Sequence, residues 1–230
     1  MKRKSCLGSL FTNIFLAALI IGLYYATQPG NEVIPASAPM YRGRGDSVAL
    51  QFALSWNAAA LSDIMDTLEK DDINVTFAVS GEWAEQNAET LRHMAEQGHE
   101  IAIMGYYPDM DGGLRWVSND LERALKATEN ACGIRPTLYY VGSRSIAVSS
   151  IAAKKLGLTQ IACTIDLLTA KGGAKDIIAR LPEQPVEGSI ILLQPTAACS
   201  EALPGILAAL EQKGIKISCT GNVLGLNELT

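Results

Sequence analysis

Between residues 48 and 219 the chain repeats one pattern: a short apolar run, a longer stretch with helical periodicity, often a glycine, then another apolar run. The runs cover residues 48–54, 75–79, 101–104, 137–141, 159–165, 190–193 and 215–219. Each is too short for a stable helix and rich in β-branched or aromatic residues, so each reads as a buried strand. Helices are expected over residues 61–70, 84–97, 118–131, 146–156 and 201–213, with Gly98, Gly133, Gly157 and Gly214 closing the last four. Strands alternating with helices favour a parallel sheet with helices outside. Seven strands suit an α/β, (β/α)-type barrel, whose functional groups gather where strands end and the following loops begin.

The N-terminus follows different rules. Lys2, Arg3 and Lys4 precede an uncharged, mostly apolar stretch from Leu7 to Ala26. About 20 such residues can span a bilayer, and the basic cluster favours a cytoplasmic start. The expected organisation is a basic cytoplasmic end (1–6), a transmembrane anchor or signal segment (7–27), a Pro/Gly/Ala/Ser-rich linker (28–45) and one domain (46–230) on the extracytoplasmic side. Ala36-Ser37-Ala38 resembles a signal cleavage site but lies well beyond the apolar run; cleavage there would make the protein secreted.

Residues 46–230 hold 14 Lys and Arg against 23 Asp and Glu, a net of −9. Nucleic-acid binding draws on clustered positive charge, so nucleic acid is excluded as an expected partner. The five cysteines, Cys6, Cys132, Cys163, Cys199 and Cys219, show no C-x-x-C spacing and so no structural zinc or redox motif. Buried, reduced thiols are expected.

Val48-Ala49-Leu50-Gln51-Phe52, then Asn74 to Ala84 (NVTFAVSGEWA), then Glu96-Gln97-Gly98-His99-Glu100-Ile101 resemble the first half of the polysaccharide deacetylases with NodB homology. Gly188 to Thr196 (GSIILLQPT), with Ala202-Leu203-Pro204 following, is similar to that family's closing strand and helix. The resemblance implies a distorted (β/α) barrel of about seven parallel strands, here preceded by an N-terminal membrane-anchor helix. It also implies metal-dependent removal of acetyl groups from N-acetylated glycans. In that chemistry one Asp and two His hold a divalent ion such as zinc, a second Asp acts as base and another His as acid.

The residues that carry this chemistry are replaced. The family's Thr-Phe-Asp-Asp-Gly corresponds to Gln51-Phe52-Ala53-Leu54-Ser55, so the base position holds Ala53 and the first metal position Leu54. Met104 and Pro108 stand where the two His ligands belong. Tyr140-Val141-Gly142-Ser143 aligns with Arg-Pro-Pro-Tyr. Gln194 stands at the catalytic His, and its amide is not a useful general acid near neutral pH. Asp166 is the remnant of the fourth motif, whose second acidic partner is Thr169. No cofactor is expected, because the family's metal ligands are not retained.

Other residues offer weak replacements. His93 and His99 fall on a helix and in a turn away from the expected pocket, and Asp109 and Asp111 read as a solvated turn beside Gly112-Gly113. Cys199 opens a helix, a position that can lower a thiol pKa, but no basic partner is evident. Trp56, Tyr106, Tyr107, Tyr139 and Tyr140 fall near strand ends, where an aromatic face can stack on a sugar while Asp166 and Gln194 bind its hydroxyls or acetamide; packing is the competing role for each. The expected substrate-binding set is Trp56, Tyr106, Asp166 and Gln194. The reading that follows is a catalytically inactive, envelope-anchored deacetylase-like module whose partner is peptidoglycan or another N-acetylated glycan. Its alternatives are an active N-deacetylase with a rearranged site and a scaffold for an unknown protein. The resemblance is nearest to degenerate deacetylase-like proteins of spore-forming bacteria, which implies an envelope or sporulation setting.

Overall fold

The computed structural model describes residues 4–26, 38–56, 58–183 and 186–226. The chain divides into two compact units, residues 1–35 and 36–230. In the first, α1 (Lys4–Ala26) is a 23-residue helix, and its described side chains, at residues 12–22 and 24, are all exposed. Among the described residues no helix is long and apolar enough to cross a membrane. The basic residues Lys2 and Arg3, and residues 28–37 of the expected linker, lie outside the described residues.

The second unit is built on β1 (Ser47–Leu54), β2 (Thr76–Val79), β3 (Glu100–Ile103), β4 (Leu138–Tyr140), β5 (Thr159–Ile161), β6 (Ile165–Asp166), β7 (Ile190–Leu193) and β8 (Lys216–Ser218). The sheet order is β5-β4-β3-β2-β1-β7-β6, with β8 also on β1, and every pairing is parallel. Residues 159–165, expected as one strand, are therefore two strands at opposite ends of the sheet. Only residues 162–164 separate β5 from β6, and that connection reaches at most about 14 Å. The sheet must curl until its edges face each other, giving a half-barrel.

A strap seals the seam between those edges. Met40 donates its N–H to the Gln160 carbonyl at 2.9 Å and accepts from the Ala162 N–H at 2.9 Å. Thr164 bonds the Tyr41 carbonyl through its hydroxyl, Arg42 bridges Ser189, and Gly43 N–H donates to the Gly188 carbonyl at 2.7 Å. The last part of the expected linker is thus stitched onto the barrel, because the two sheet edges offer unpaired backbone groups that a passing extended chain satisfies.

Helices cover the outer face: α2 (Leu61–Lys70), α3 (Gly81–Gln86), α4 (Ala88–Glu96), α5 (Leu114–Cys132), α6 (Ile146–Lys155), α7 (Ala174–Ala179) and α8 (Ala197–Gln212), whereas α9 (Thr220–Val223) packs its Val223 with the inner-face residues Ala49, Ala78 and Ala102. Val48, Leu50, Phe52 and Leu54 of β1 face this layer and pack with Ile64 and Leu68 of α2 and Leu203, Ile206 and Leu210 of α8. The alternate residues Ala49, Gln51 and Ala53 face the barrel interior, as strand geometry requires. Gly98, Gly133, Gly157 and Gly214 all have positive φ at the ends where helices were expected to close. The helix expected over residues 84–97 is instead two, broken at Asn87, whose side-chain amide turns back to the Trp83 carbonyl at 2.9 Å. Helix α8 starts four residues earlier than expected because Thr196 caps it, accepting from the Cys199 N–H at 3.1 Å.

Candidate functional site

A cleft of about 540 Å³ opens at the C-terminal ends of the strands. Its walls come from five strands and the loops after them: Ala53, Ser55 and Trp56 from the end of β1, Met104 and Asp109 after β3, Tyr140, Gly142 and Ser143 from the end of β4 and its loop, Asp166 from β6, and Leu192, Gln194, Pro195 and Thr196 from β7 and its loop. Of the residues singled out in the sequence, the structure brings Ala53, Met104, Tyr140, Asp166, Gln194 and Trp56 together here. Trp56 is 80% exposed, a large aromatic face held in water at the rim.

Three expected positions fall elsewhere. Leu54 is fully buried on the helix-facing side of β1, in the core with Phe52, because an isobutyl group gains more from the apolar layer than from a wet cleft. Pro108 is half-buried in the loop after β3 and does not line the cleft. Tyr106, read as a sugar-stacking aromatic, is buried: its hydroxyl donates to Glu85 at 2.7 Å and the Arg123 guanidinium lies 3.4 Å from its ring centroid. Gly81 allows this placement, since a Cβ there would lie 2.5 Å from the Tyr106 ring. Tyr106 is therefore a packing residue, not a ligand contact; Tyr139 is also fully buried.

A divalent ion does not fit the donor set at the family positions. Ala53 and Leu54 offer hydrocarbon, Pro108 a ring without a donor, and Met104 a soft thioether unsuited to an oxygen- and nitrogen-preferring ion. Among the described residues no group of three His, Cys, Asp or Glu side chains could hold a metal. His99 is buried against Phe77, its Nδ1 accepting from the Val75 N–H at 3.3 Å. Burial, with a smaller push from His93, lowers its pKa to about 4, so it is neutral at physiological pH and spent in packing.

Nucleophiles fare no better. Burial pushes the Cys199 thiol up to about 12, outweighing its place in the first turn of α8. Tyr140 is raised by burial, then by its neighbour Cys163, and Cys163 is itself raised by burial. None of these groups ionises readily near neutral pH.

Sequence reasoning missed the pair that builds the cleft's β3 wall. Arg144 and Asp120 meet at 2.7 Å with side chains 1% and 4% exposed. Asp120 also accepts from the backbone N–H groups of Tyr106 and Tyr107, while Arg144 donates to the carbonyls of Tyr107 and Met110. Loop 105–110, which carries Asp109, is thereby fastened to α5 and to the β4–α6 loop. The partners lie 24 residues apart, and neither sits in a recognisable pattern.

Residues 41–161 match the polysaccharide deacetylase family. The chain is 27% identical over 183 residues to the uncharacterized protein YlxY of Bacillus subtilis, covering 76% of this chain. It spans 57% of the length of that curated relative. Among solved structures, a mutant of BA3943, a CE4 family pseudoenzyme from Bacillus anthracis, with restored enzymatic activity, superposes with a TM-score of 0.75 at 24% identity, covering 81% of this chain and 71% of the other. The Bc1960 peptidoglycan N-acetylglucosamine deacetylase superposes with a TM-score of 0.75 at 19% identity, covering 82% and 93%. These identities speak for a shared fold, and the residues at the cleft must speak for the chemistry.

Proposed function

This chain belongs to the polysaccharide deacetylase family, and we propose that it is a member without hydrolytic activity, using the family cleft to hold a glycan at the cell envelope. The observation that carries this reading is the cleft lining. Ala53, Met104 and Gln194 stand at the base, ligand and acid positions, and the strongly ionisable side chains that remain are Asp109 and Asp166. Hydrolysis of an amide needs a water made nucleophilic and a leaving nitrogen protonated, and the positions that do this work in the family hold Ala53, Leu54, Met104, Pro108 and Gln194. What persists is what a sugar needs: an exposed Trp56 face beside hydroxyl, amide and carboxylate groups. That one structural neighbour is a peptidoglycan N-acetylglucosamine deacetylase makes peptidoglycan the first glycan to test.

The N-terminal segment completes the proposal. The uncharged stretch from Leu7 to Ala26 behind Lys2, Arg3 and Lys4 would anchor the protein with its domain outside the cytoplasm. Carbonate-resistant recovery in the membrane fraction, with the domain accessible to protease from the outer side, is the expected outcome.

The function itself is tested by acetate release from peptidoglycan and N-acetylglucosamine oligomers, with zinc, cobalt or manganese supplied and a competent deacetylase alongside. No release, together with saturable binding that weakens in Trp56→Ala, is expected. Metal-dependent release above a heat-inactivated control would establish the alternative, an active deacetylase with a rearranged site. Neither release nor binding would leave a protein-binding scaffold.

A further inference from the structure

We propose that the cleft prefers saccharides bearing a protonated amine over the same saccharides N-acetylated; this rests on the glycan-binding reading above and specifies its ligand. Three observations meet. First, Asp109 and Asp166 line the cleft, and among the described residues no Lys, Arg or His side chain does. The ion pairs among the described residues are Arg144–Asp120 and Arg135–Glu129, so neither cleft carboxylate is neutralised by a basic side chain. Asp166 uses one oxygen to accept from the Leu168 N–H at 2.8 Å, an arrangement that orients the carboxylate without cancelling its charge. The nearby cation, Arg144, is buried and committed to Asp120 and two carbonyls.

Second, the polar demand of the site continues beneath its floor. Gln51 is fully buried, pairs in register with cleft-lining Leu192 and shares the inner face of β1 with cleft-lining Ala53. Both atoms of its amide lack a hydrogen-bond partner. A buried, unpaired amide is unfavourable unless water or another polar group reaches it, so the layer directly under cleft-lining Leu192 and Ala53 carries an unmet polar demand. Third, Trp56 presents its ring to solvent at the rim, where the C–H face of a sugar or a cation can cover it.

An N-acetyl group is neutral and gains little from two carboxylates. An ammonium on the same carbon donates charge-assisted hydrogen bonds to either one. For two exposed pairs the preference should be roughly tenfold at low salt and should shrink as salt is added.

The test is calorimetric titration of the full chain with a glucosamine tetramer and with its fully N-acetylated counterpart, below the amine pKa and at low salt. The expected result is tighter binding of the amine form, with the preference abolished in an Asp109→Asn, Asp166→Asn double variant whose circular dichroism is unchanged. Tetralysine serves as the charge-only control and should bind more weakly than the glucosamine tetramer. Equal or tighter binding of the acetylated tetramer overturns the proposal and leaves the glycan reading standing. A preference that survives in the double variant, or tetralysine binding as well as the sugar, also overturns it. Binding of neither saccharide removes both.

Discussion

Replacing Asp120 with Ala removes the acceptor for three donors at once: the Arg144 guanidinium at 2.7 Å and the N–H groups of Tyr106 and Tyr107 at 2.9 and 3.0 Å. With both side chains almost fully buried, water cannot take its place. Breaking a buried ion pair from one side costs about 3–5 kcal/mol, because the other charge stays buried without compensation. Two stranded amides argue for the upper half of that range. At a urea dependence of roughly 2 kcal/mol per molar, the unfolding midpoint should fall by about 2 M. Trp116, whose ring lies 5.4 Å from the Arg144 guanidinium, supplies a local fluorescence probe in an equilibrium titration. Adding Arg144→Met to Asp120→Ala removes the stranded charge and should recover about 1–2 kcal/mol of the loss. A midpoint shift below about 0.5 M for Asp120→Ala, or a double variant no more stable than the single one, would refute the claim that this pair braces the cleft wall.

Gly105 has φ of +98°, and a Cβ there would lie 2.5 Å from both Arg144 Nη1 and Asp120 Oδ2; Gly105→Ala should cost more than about 2 kcal/mol in the same titration, and a neutral result would show that the pair can shift. His99 carries a folded pKa lowered to about 4 against about 6.5 unfolded. The unfolded chain therefore binds the extra proton, and the contribution present above pH 6.5 is lost as pH falls towards 4, on the order of 2–3 kcal/mol. The difference between wild type and His99→Asn across that window isolates it; parallel curves would disprove it. Leu54→Asp places a carboxylate in the helix-facing core and should cost several kcal/mol by thermal melting, whereas an unchanged melting temperature would mean that the end of β1 readily turns this position towards the cleft.

The barrel was legible because its signals are local. Short runs such as residues 75–79 and 101–104, and glycines such as Gly133 and Gly214, each announce an element within a few residues. The run at 159–165 was misread because periodicity cannot tell one strand from two that meet across a seam; that distinction lies in the curl of the whole sheet. The break at Asn87 depends on one side chain turning onto its own helix. At the cleft, Ala53, Met104, Tyr140, Asp166, Gln194 and Trp56 come together because each sits at or just beyond a strand end, a position readable from the sequence. Tyr106 was not, since its burial depends on the space left by Gly81 and on Arg123, 17 residues ahead in the chain. The Arg144–Asp120 pair left no sequence trace, because two ordinary charged residues acquire their role only once α5 packs beside the β4–α6 loop.

The strap at residues 40–43 also gives the barrel a mechanical weak point. A pull arriving along the chain from residues ahead of it meets the Met40–Ile161 and Arg42–Ser189 bridges before it reaches β1. Those few bonds give way at lower force than β1, which is laddered to β2, β7 and β8. The seam therefore behaves as a fuse, and its release loosens the strap from β5 and from the start of β7 while residues 162–164 still join β5 to β6. Tension on residues ahead of the strap would be spent on these contacts before it loads the central strand of the sheet.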